Sequence, residues 1–220
     1  PVIFFLVVAC VLCVMQKDLG SAIVFAAIVF GVLFIAGTRV SLLVVTGLVM
    51  GAVGVAEVMR VDYRRNRWTA FLNLEATKLH DGYQVYQSMI SIANGGITGV
   101  GVGEGAGKWG YVPLAHSDFI FAIIAEEFGL LGVLAVLGMF LGLVLFGIQA
   151  ALGARDVFGA LIAGGITSWF AVQAFINIGG VTATMPVTGL TLPFISYGGS
   201  SLLVSMAAAG LLLNVARNMK

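Results

Sequence analysis

Asp118 closes the polar stretch Pro113-Leu114-Ala115-His116-Ser117-Asp118, where the apolar run Phe119-Ile120-Phe121-Ala122-Ile123-Ile124 begins. A carboxylate at such a boundary can be desolvated on one side and approached by cations on the other, and the balance tunes a general base. Aspartate is also a common helix N-cap, so local chemistry alone leaves both roles open. His116 and Ser117 stand beside it, yet a catalytic triad is assembled by spatial convergence, not by adjacency in sequence.

Positive charge is gathered at Arg60, Arg64, Arg65 and Arg67. It suits an anionic ligand, or equally headgroups and pairing with Asp62 and Glu75. Lys108 follows the glycine-alternating run Gly99, Gly101, Gly103, Gly105, Gly107, which predicts a supple loop. From such a loop Lys108 could reach a phosphate or stay a solvated lysine. Gly105, Gly107 and Gly110 formally satisfy G-x-G-x-x-G, but no βαβ unit surrounds them and the P-loop pattern is incomplete, so nucleotide binding is dismissed. Pro193-Phe194-Ile195-Ser196-Tyr197-Gly198-Gly199-Ser200-Ser201 precedes the last apolar segment, where helix N–H groups can hold an anion or simply be capped.

Three further groups lie within apolar sequence. Glu126 and Glu127 are carboxylates of the kind that mark functional sites or buried pairs. Trp169, Gln173 and Asn177 recur at i, i+4, i+8 and are expected to hydrogen-bond neighbouring helices. Cys10 and Cys13 form a C-x-x-C read as packing, since His80 and His116 are remote in sequence and no metal-ligand cluster is legible.

The elements that must position these residues are membrane spans. The chain of 220 residues is 60% hydrophobic and 10% charged, with a mean hydropathy of +1.08, where soluble domains carry about 45–50% apolar and about 25% charged residues. Net charge is +1, which offers nucleic acid nothing. Apolar runs at 1–15, 19–37, 40–59, 128–150, 157–178 and 199–216 predict an all-α polytopic bundle of about six spans. It divides into spans at 1–59, a long loop with an interfacial helix at 60–118, and spans at 119–220 carrying a second loop at 179–198. Arg39, Arg155 and Arg217 with Lys220 follow alternate spans and read as cytoplasmic, which turns 60–118 and 179–198 outward. Tyr83, Val85, Tyr86, Met89, Ile90 and Ile92 among Gln84, Gln87 and Ser88 make the interfacial helix amphipathic. The chain opens at Pro1 inside an apolar run and is expected to be a fragment.

Four ordered motifs resemble the SEDS family of shape, elongation, division and sporulation proteins, the FtsW, RodA and SpoVE type. Gln16-Lys17-Asp18-Leu19-Gly20-Ser21-Ala22 is similar to Q-P-D-L-G-T-A, and Gly82-Tyr83-Gln84 with Gln87-Ser88 to G-Y-Q-x-x-Q-S. Ala115-His116-Ser117-Asp118-Phe119-Ile120-Phe121-Ala122 with Glu126-Glu127 is similar to A-H-T-D-F-I-F-A…E-E, and the 193–201 segment to P-F-I-S-Y-G-G-S-S. The resemblance implies about ten spans in the intact protein, of which roughly the first four precede this carboxy-terminal part.

It also implies a peptidoglycan glycosyltransferase that polymerises lipid II at the outer face of the bacterial cytoplasmic membrane, with a class B penicillin-binding protein as cross-linking partner. A lipid II flippase and a noncatalytic scaffold are the competing readings. By resemblance Asp118 is the essential acidic residue, a general base that deprotonates the acceptor hydroxyl as undecaprenyl pyrophosphate leaves. His116, Ser117, Gln84, Gln87, Ser196, Tyr197, Gly198 and Ser200 are then expected to bind substrate, with Lys108, Arg60, Arg64, Arg65 and Arg67 opposite the pyrophosphate. Asp18, Glu126, Glu127 and Asn177 are expected to serve inside the membrane. A divalent cation would suit a pyrophosphate leaving group. Two positions depart from the pattern: Ser117 keeps the hydroxyl of the usual threonine, and Lys17 replaces proline and could pair with Asp18. Met185-Pro186-Val187-Thr188-Gly189 resembles the elongation type and Gly189-Leu190-Thr191-Leu192-Pro193 the division type, so the resemblance does not separate those roles.

Overall fold

A computed structural model describes residues 2–16 and 18–219, and the described residues form α-helices joined by turns and loops, without strands. The expected pairing of Lys17, and Lys220, lie outside the described residues. Four helices are long and apolar enough to cross a membrane: α3 (Val40–Arg60), α7 (Ile120–Gly153), α8 (Val157–Val181) and α9 (Gly199–Arg217). Two shorter apolar helices, α1 (Val2–Met15) and α2 (Leu19–Ile35), precede them. Lipid offers the backbone no hydrogen bonds, so apolar runs close their own as helices. Pro113, Pro186 and Pro193 fall in the connections, where a missing N–H breaks no helical ladder. The chain is a multi-pass membrane protein.

Segment 60–118 holds more structure than a loop. It contains α4 (Asp62–Leu72), the short α5 (Leu74–Thr77), α6 (Tyr83–Gly95) and a 3-10 turn at Gly107–Trp109. The chain divides into two compact units that cut across the sequential thirds. One comprises Pro1–Glu57, Phe140–Gln173 and Leu203–Lys220; the other comprises Val58–Met139 and Ala174–Leu202. Long helices contribute residues to both, which is why sequential boundaries could not anticipate the division.

The first unit is held by small-residue packing. Ala150, Ala163 and Leu212 form a buried cluster with Ala151, Ile166, Val215 and Ala216 against it. Glycines sit where a side chain would collide: a Cβ on Gly147 would lie 2.2 Å from Thr167 Oγ1, and one on Gly31 would overlap Ser168. Such surfaces let helices approach closely where lipid supplies no hydrophobic drive between them. Asp18 caps α2, accepting from Ser21 N at 3.0 Å and Ser21 Oγ at 2.5 Å. Trp169 Nε1 donates to Gln173 Oε1 one turn along the same helix. That contact joins the first two members of the stripe, because i and i+4 face each other on α8.

The second unit is organised by α7. Its first turns are interrupted at Gly129, which takes φ 63° and ψ −155°. A Cβ there would lie 2.4 Å from Gly99 N, so only glycine admits the glycine-rich strand of chain that docks on the break. Val100 N donates to Glu126 O, Gly101 N to Glu127 O and Leu130 N to Gly96 O. The supple loop expected from its glycines is therefore pinned backbone to backbone.

Helix α6 is amphipathic, but its buried stripe is not the apolar one. Ser88, Ser91 and Gly95 face inward, while Met89 and Ile90 are exposed. The reason is proximity: a Cβ on Gly95 would overlap Ala125 O, so the contact with α7 demands small residues and the bulky ones turn outward.

Candidate active site

Asp118 lies just ahead of α7, half-buried, at the wall of a small cleft of about 180 Å³ that it shares with Asn177, Val187, Thr188, Gly189 and Leu190. The cleft is lined by the chain at Asp118, the end of α8 and the 187–190 stretch, and a further turn at 192–197 supports the first of these. The 113–118 turn is fixed by Leu114, whose φ of 55° is unusual for a bulky residue, and by Ser117 Oγ donating to Leu114 O at 3.2 Å. The 182–190 segment folds back from the end of α8, with Gly189 at φ 77°. A Cβ on Gly189 would come to 3.5 Å from Asp118 Oδ2, so glycine meets both the backbone conformation and the tight approach to the carboxylate. The 192–197 turn packs on the first piece: Ser196 Oγ donates to Ser117 O at 2.7 Å and accepts from Leu192 N at 2.7 Å, and Tyr197 N donates to His116 O at 2.9 Å.

Asn177, from the last turns of α8, ties the pieces together. Its Nδ2 donates to Asp118 O at 2.8 Å and to Leu190 O at 2.6 Å. Asp118 is thus held through its own main chain while its carboxylate borders the cleft. Burial pushes the Asp118 carboxyl above its ordinary pKa; the Ser117 hydrogen bond and the charges of Arg67 and His116 pull against that rise without cancelling it.

Leu114, Ala183 and Phe194 are the described non-glycine residues with positive φ, and all three belong to this unit. Strained backbone of this kind persists only where the surroundings over-determine it, commonly at functional sites.

The four arginines part company. Arg67 reaches the site: its Nη1 donates to Val187 O at 3.1 Å, and its charge acts on Asp118. It also lines a second, larger cleft of about 420 Å³ with Asp81, Gln84, Ala183, Met185 and Val187. Val187 belongs to both clefts. Arg65 pairs instead with Asp62 at 2.8 Å on the surface of α4. Arg64 is buried, and Arg60 ends α3. Glu75, expected near the arginines, pairs with Lys78. Arg65 and Arg67, two positions apart on α4, turn to different faces, which the sequence cluster could not distinguish.

Lys108 is drawn elsewhere too. Its Nζ lies 2.7 Å from Glu127 Oε1, which corrects the picture of a free cation on a flexible loop. Glu127 also accepts from Gly103 N, and Glu126, only 2% exposed, accepts from Ala106 N at 3.2 Å and Gly107 N at 3.0 Å. Both carboxylates anchor the glycine-rich loop. Ser196 has its hydroxyl engaged at both ends, so its geometry is that of a clamp. His116 and Tyr197 are exposed and meet edge to face at 5.7 Å, with Gly198 and Ser200 following at the start of α9. Gln84 lines the second cleft, whereas Gln87 lines neither. Ser88, singled out only as a polar position of α6, donates to Val181 O at 2.8 Å and ties that helix to the end of α8.

Residues that sequence reasoning missed are mostly backbone. Val187 O, Leu190 O and the left-handed Gly189 carry no side-chain signal, and only the Pro186 and Gly189 punctuation hints at a shaped turn.

Known proteins are similar to this chain. Among curated relatives, the probable peptidoglycan glycosyltransferase FtsW of Geobacter metallireducens is 45% identical over 222 residues, covering 100% of this chain and 59% of its own length. Stage V sporulation protein E of Bacillus subtilis is 43% identical over 213 residues, covering 97% of this chain and 57% of its own. A solved chain described under "Structural coordination of polymerization and crosslinking by a peptidoglycan synthase complex" superposes with a TM-score of 0.80 at 31% identity, covering 98% of this chain and 60% of that one. The chain thus spans roughly three fifths of the length of the relatives it matches. The family described as cell cycle protein, of the FtsW, RodA and SpoVE type, matches residues 1–220, and to that family the chain belongs.

Proposed function

We propose that the protein is a peptidoglycan glycosyltransferase that polymerises lipid II at the outer face of the cytoplasmic membrane, with Asp118 as its general base. The observation that carries this reading is the Asp118 carboxyl itself: half-buried at a cleft, raised in pKa, and held through its main chain by Asn177. A base needs an accessible carboxylate basic enough to take a proton, and partial burial supplies the basicity.

In the proposed step Asp118 accepts the proton of the acceptor sugar's hydroxyl. That oxygen bonds to the anomeric carbon of the lipid-linked donor, and the bond from that carbon to the pyrophosphate breaks. The electron pair leaves on undecaprenyl pyrophosphate, and Asp118 returns its proton to solvent. Charge grows on the pyrophosphate, so a fixed cation beside it lowers the barrier. Arg67, at the seam of the two clefts, is the cation best placed for this.

The relatives named as peptidoglycan glycosyltransferases support the reaction class. The solved peptidoglycan synthase complex supports a cross-linking partner, in our reading a class B penicillin-binding protein. Arg39, Arg155 and Arg217 support a cytoplasmic side opposite Asp118. The residues that motivate a transporter reading, Glu126, Glu127 and Asn177, bind loop backbone and so favour a built site over a conduit. The test is polymerisation of lipid II by the full-length protein with its partner. Asp118→Asn is expected to remove polymer while leaving assembly with the partner intact; normal polymer from that variant would sink the assignment.

A further inference from the structure

The Asn177 side chain is only half used by the contacts that hold Asp118. It is 5% exposed, and its two N–H bonds point at two carbonyls, those of Asp118 and Leu190. Rotating the amide by half a turn would set its oxygen against both carbonyl oxygens, so the orientation is determined by the hydrogen bonds. Its Oδ1 is buried and meets no hydrogen-bond donor among the described residues. A buried acceptor without a donor is unfavourable, and in native proteins it marks a place where something else donates.

Asn177 and Asp118 line the same cleft. Much of the remaining lining is apolar or glycine, as at Phe119, Ile176, Gly180 and Val181. A ligand that brings donors to this wall would meet the Asp118 carboxylate and, close behind the surface, an amide oxygen that lacks a protein partner. A phosphate or pyrophosphate brings only acceptors and negative charge, which excludes it from this side. A pair of neighbouring hydroxyls on a sugar ring fits the requirement. The cleft is small, so at most one edge of a sugar would enter it.

We propose that Asn177 Oδ1 accepts a hydrogen bond from the acceptor-sugar hydroxyl next to the one that Asp118 deprotonates, so that the two side chains grip a vicinal diol. Asn177 is then a positioning residue for Asp118 through its N–H groups and a specificity-determining residue through its oxygen. The inference rests on the glycosyltransferase reading above and deepens it.

The experiment uses the full-length protein with its partner, native lipid II, and a lipid II analogue in which hydrogen replaces the hydroxyl adjacent to the attacking one on the acceptor sugar. Polymer from native lipid II, lost in Asp118→Asn, establishes the reaction independently. Wild type is then expected to use the deoxy acceptor with kcat/KM lower by roughly tenfold or more, since a site built to pair a hydroxyl rejects the analogue lacking it. Asn177→Ala is expected to be weakened on native lipid II and to distinguish the two acceptors by less than about threefold, because the lost partners are one interaction. Wild type using both acceptors within about threefold overturns the inference even if the variant does not fold. Losses that multiply in the variant overturn it as well.

Discussion

In the first unit helices meet through alanine and glycine, and side-chain hydrogen bonds such as Thr167 to Ala163 and Trp169 to Gln173 stay within one helix, while the Cys10 thiol, which donates to Ala22 O, crosses between two. In the second unit buried side chains reach across the chain to loop backbone: Ser88 to Val181, Asn177 to Asp118 and Leu190, Ser196 to Ser117, Glu126 to Ala106 and Gly107. Lipid explains the first pattern, because contacting helices there need only close approach. Irregular backbone explains the second. Each loop that shapes a cleft carries N–H and C=O groups outside any helical ladder, and where they are buried only protein can satisfy them. The difference teaches that the buried polar residues here support irregular chain, and that the two proposed to act at the site, Asp118 and Asn177, also line a cleft.

The largest expected effect separates the two units directly. Asp118→Asn should lower polymerisation by about 10²- to 10⁴-fold, the usual worth of a general base, with little change in thermal unfolding. Ala163→Leu in the first unit should do the reverse, costing about 1–3 kcal/mol by overpacking while leaving turnover per folded molecule alone. Turnover lost in Ala163→Leu without loss of stability would break the comparison. Next comes the α6 contact. Gly95→Val should destabilise by about 3 kcal/mol, at the upper end for overpacking, because the added carbon meets backbone that cannot rotate away. Unfolding in detergent read by circular dichroism checks it.

Glu126→Ala should be milder, about 1–3 kcal/mol for leaving the N–H groups of Ala106 and Gly107 without their acceptor. Amide exchange across 99–107 should quicken, and unchanged exchange would mean the loop does not depend on the carboxylate. A subtler effect concerns pH. In the proposed mechanism the ionised form of Asp118 is the active one, so activity should fall as pH drops through its raised pKa. Arg67 favours that ionised form, so Arg67→Gln should move the acid limb to higher pH, and a limb displaced downward would contradict the electrostatic assignment. The smallest expected effect is at Arg65→Ala. Its partner Asp62 is largely exposed, and such surface pairs contribute about 0–1 kcal/mol.

The helices were legible because apolar length is a local property, and the long loop stood out because Arg60 to Asp118 interrupts it. Motif resemblance pointed to Asp118 where local chemistry alone favoured capping. What was not legible depended on facing. Four arginines within eight positions look alike in sequence, yet only Arg67 is shown acting on Asp118, through its charge and its bond to Val187. Lys108 and Glu127 lie 19 positions apart, so their pairing could not be read from either segment.

Sequence by itself determined the membrane helices, the place of the polar connections and the family to which the chain belongs, because hydrophobic length and ordered motifs are written residue by residue. Tertiary structure decided the role of each polar group within that frame. It turned α6 inside out around Gly95, pinned the glycine loop to Glu126 and Glu127, and left Asn177 holding Asp118 with one oxygen facing no protein donor. The physical reason is that hydrogen-bond satisfaction is settled by which backbone atoms arrive beside a side chain, and that depends on segments remote in sequence.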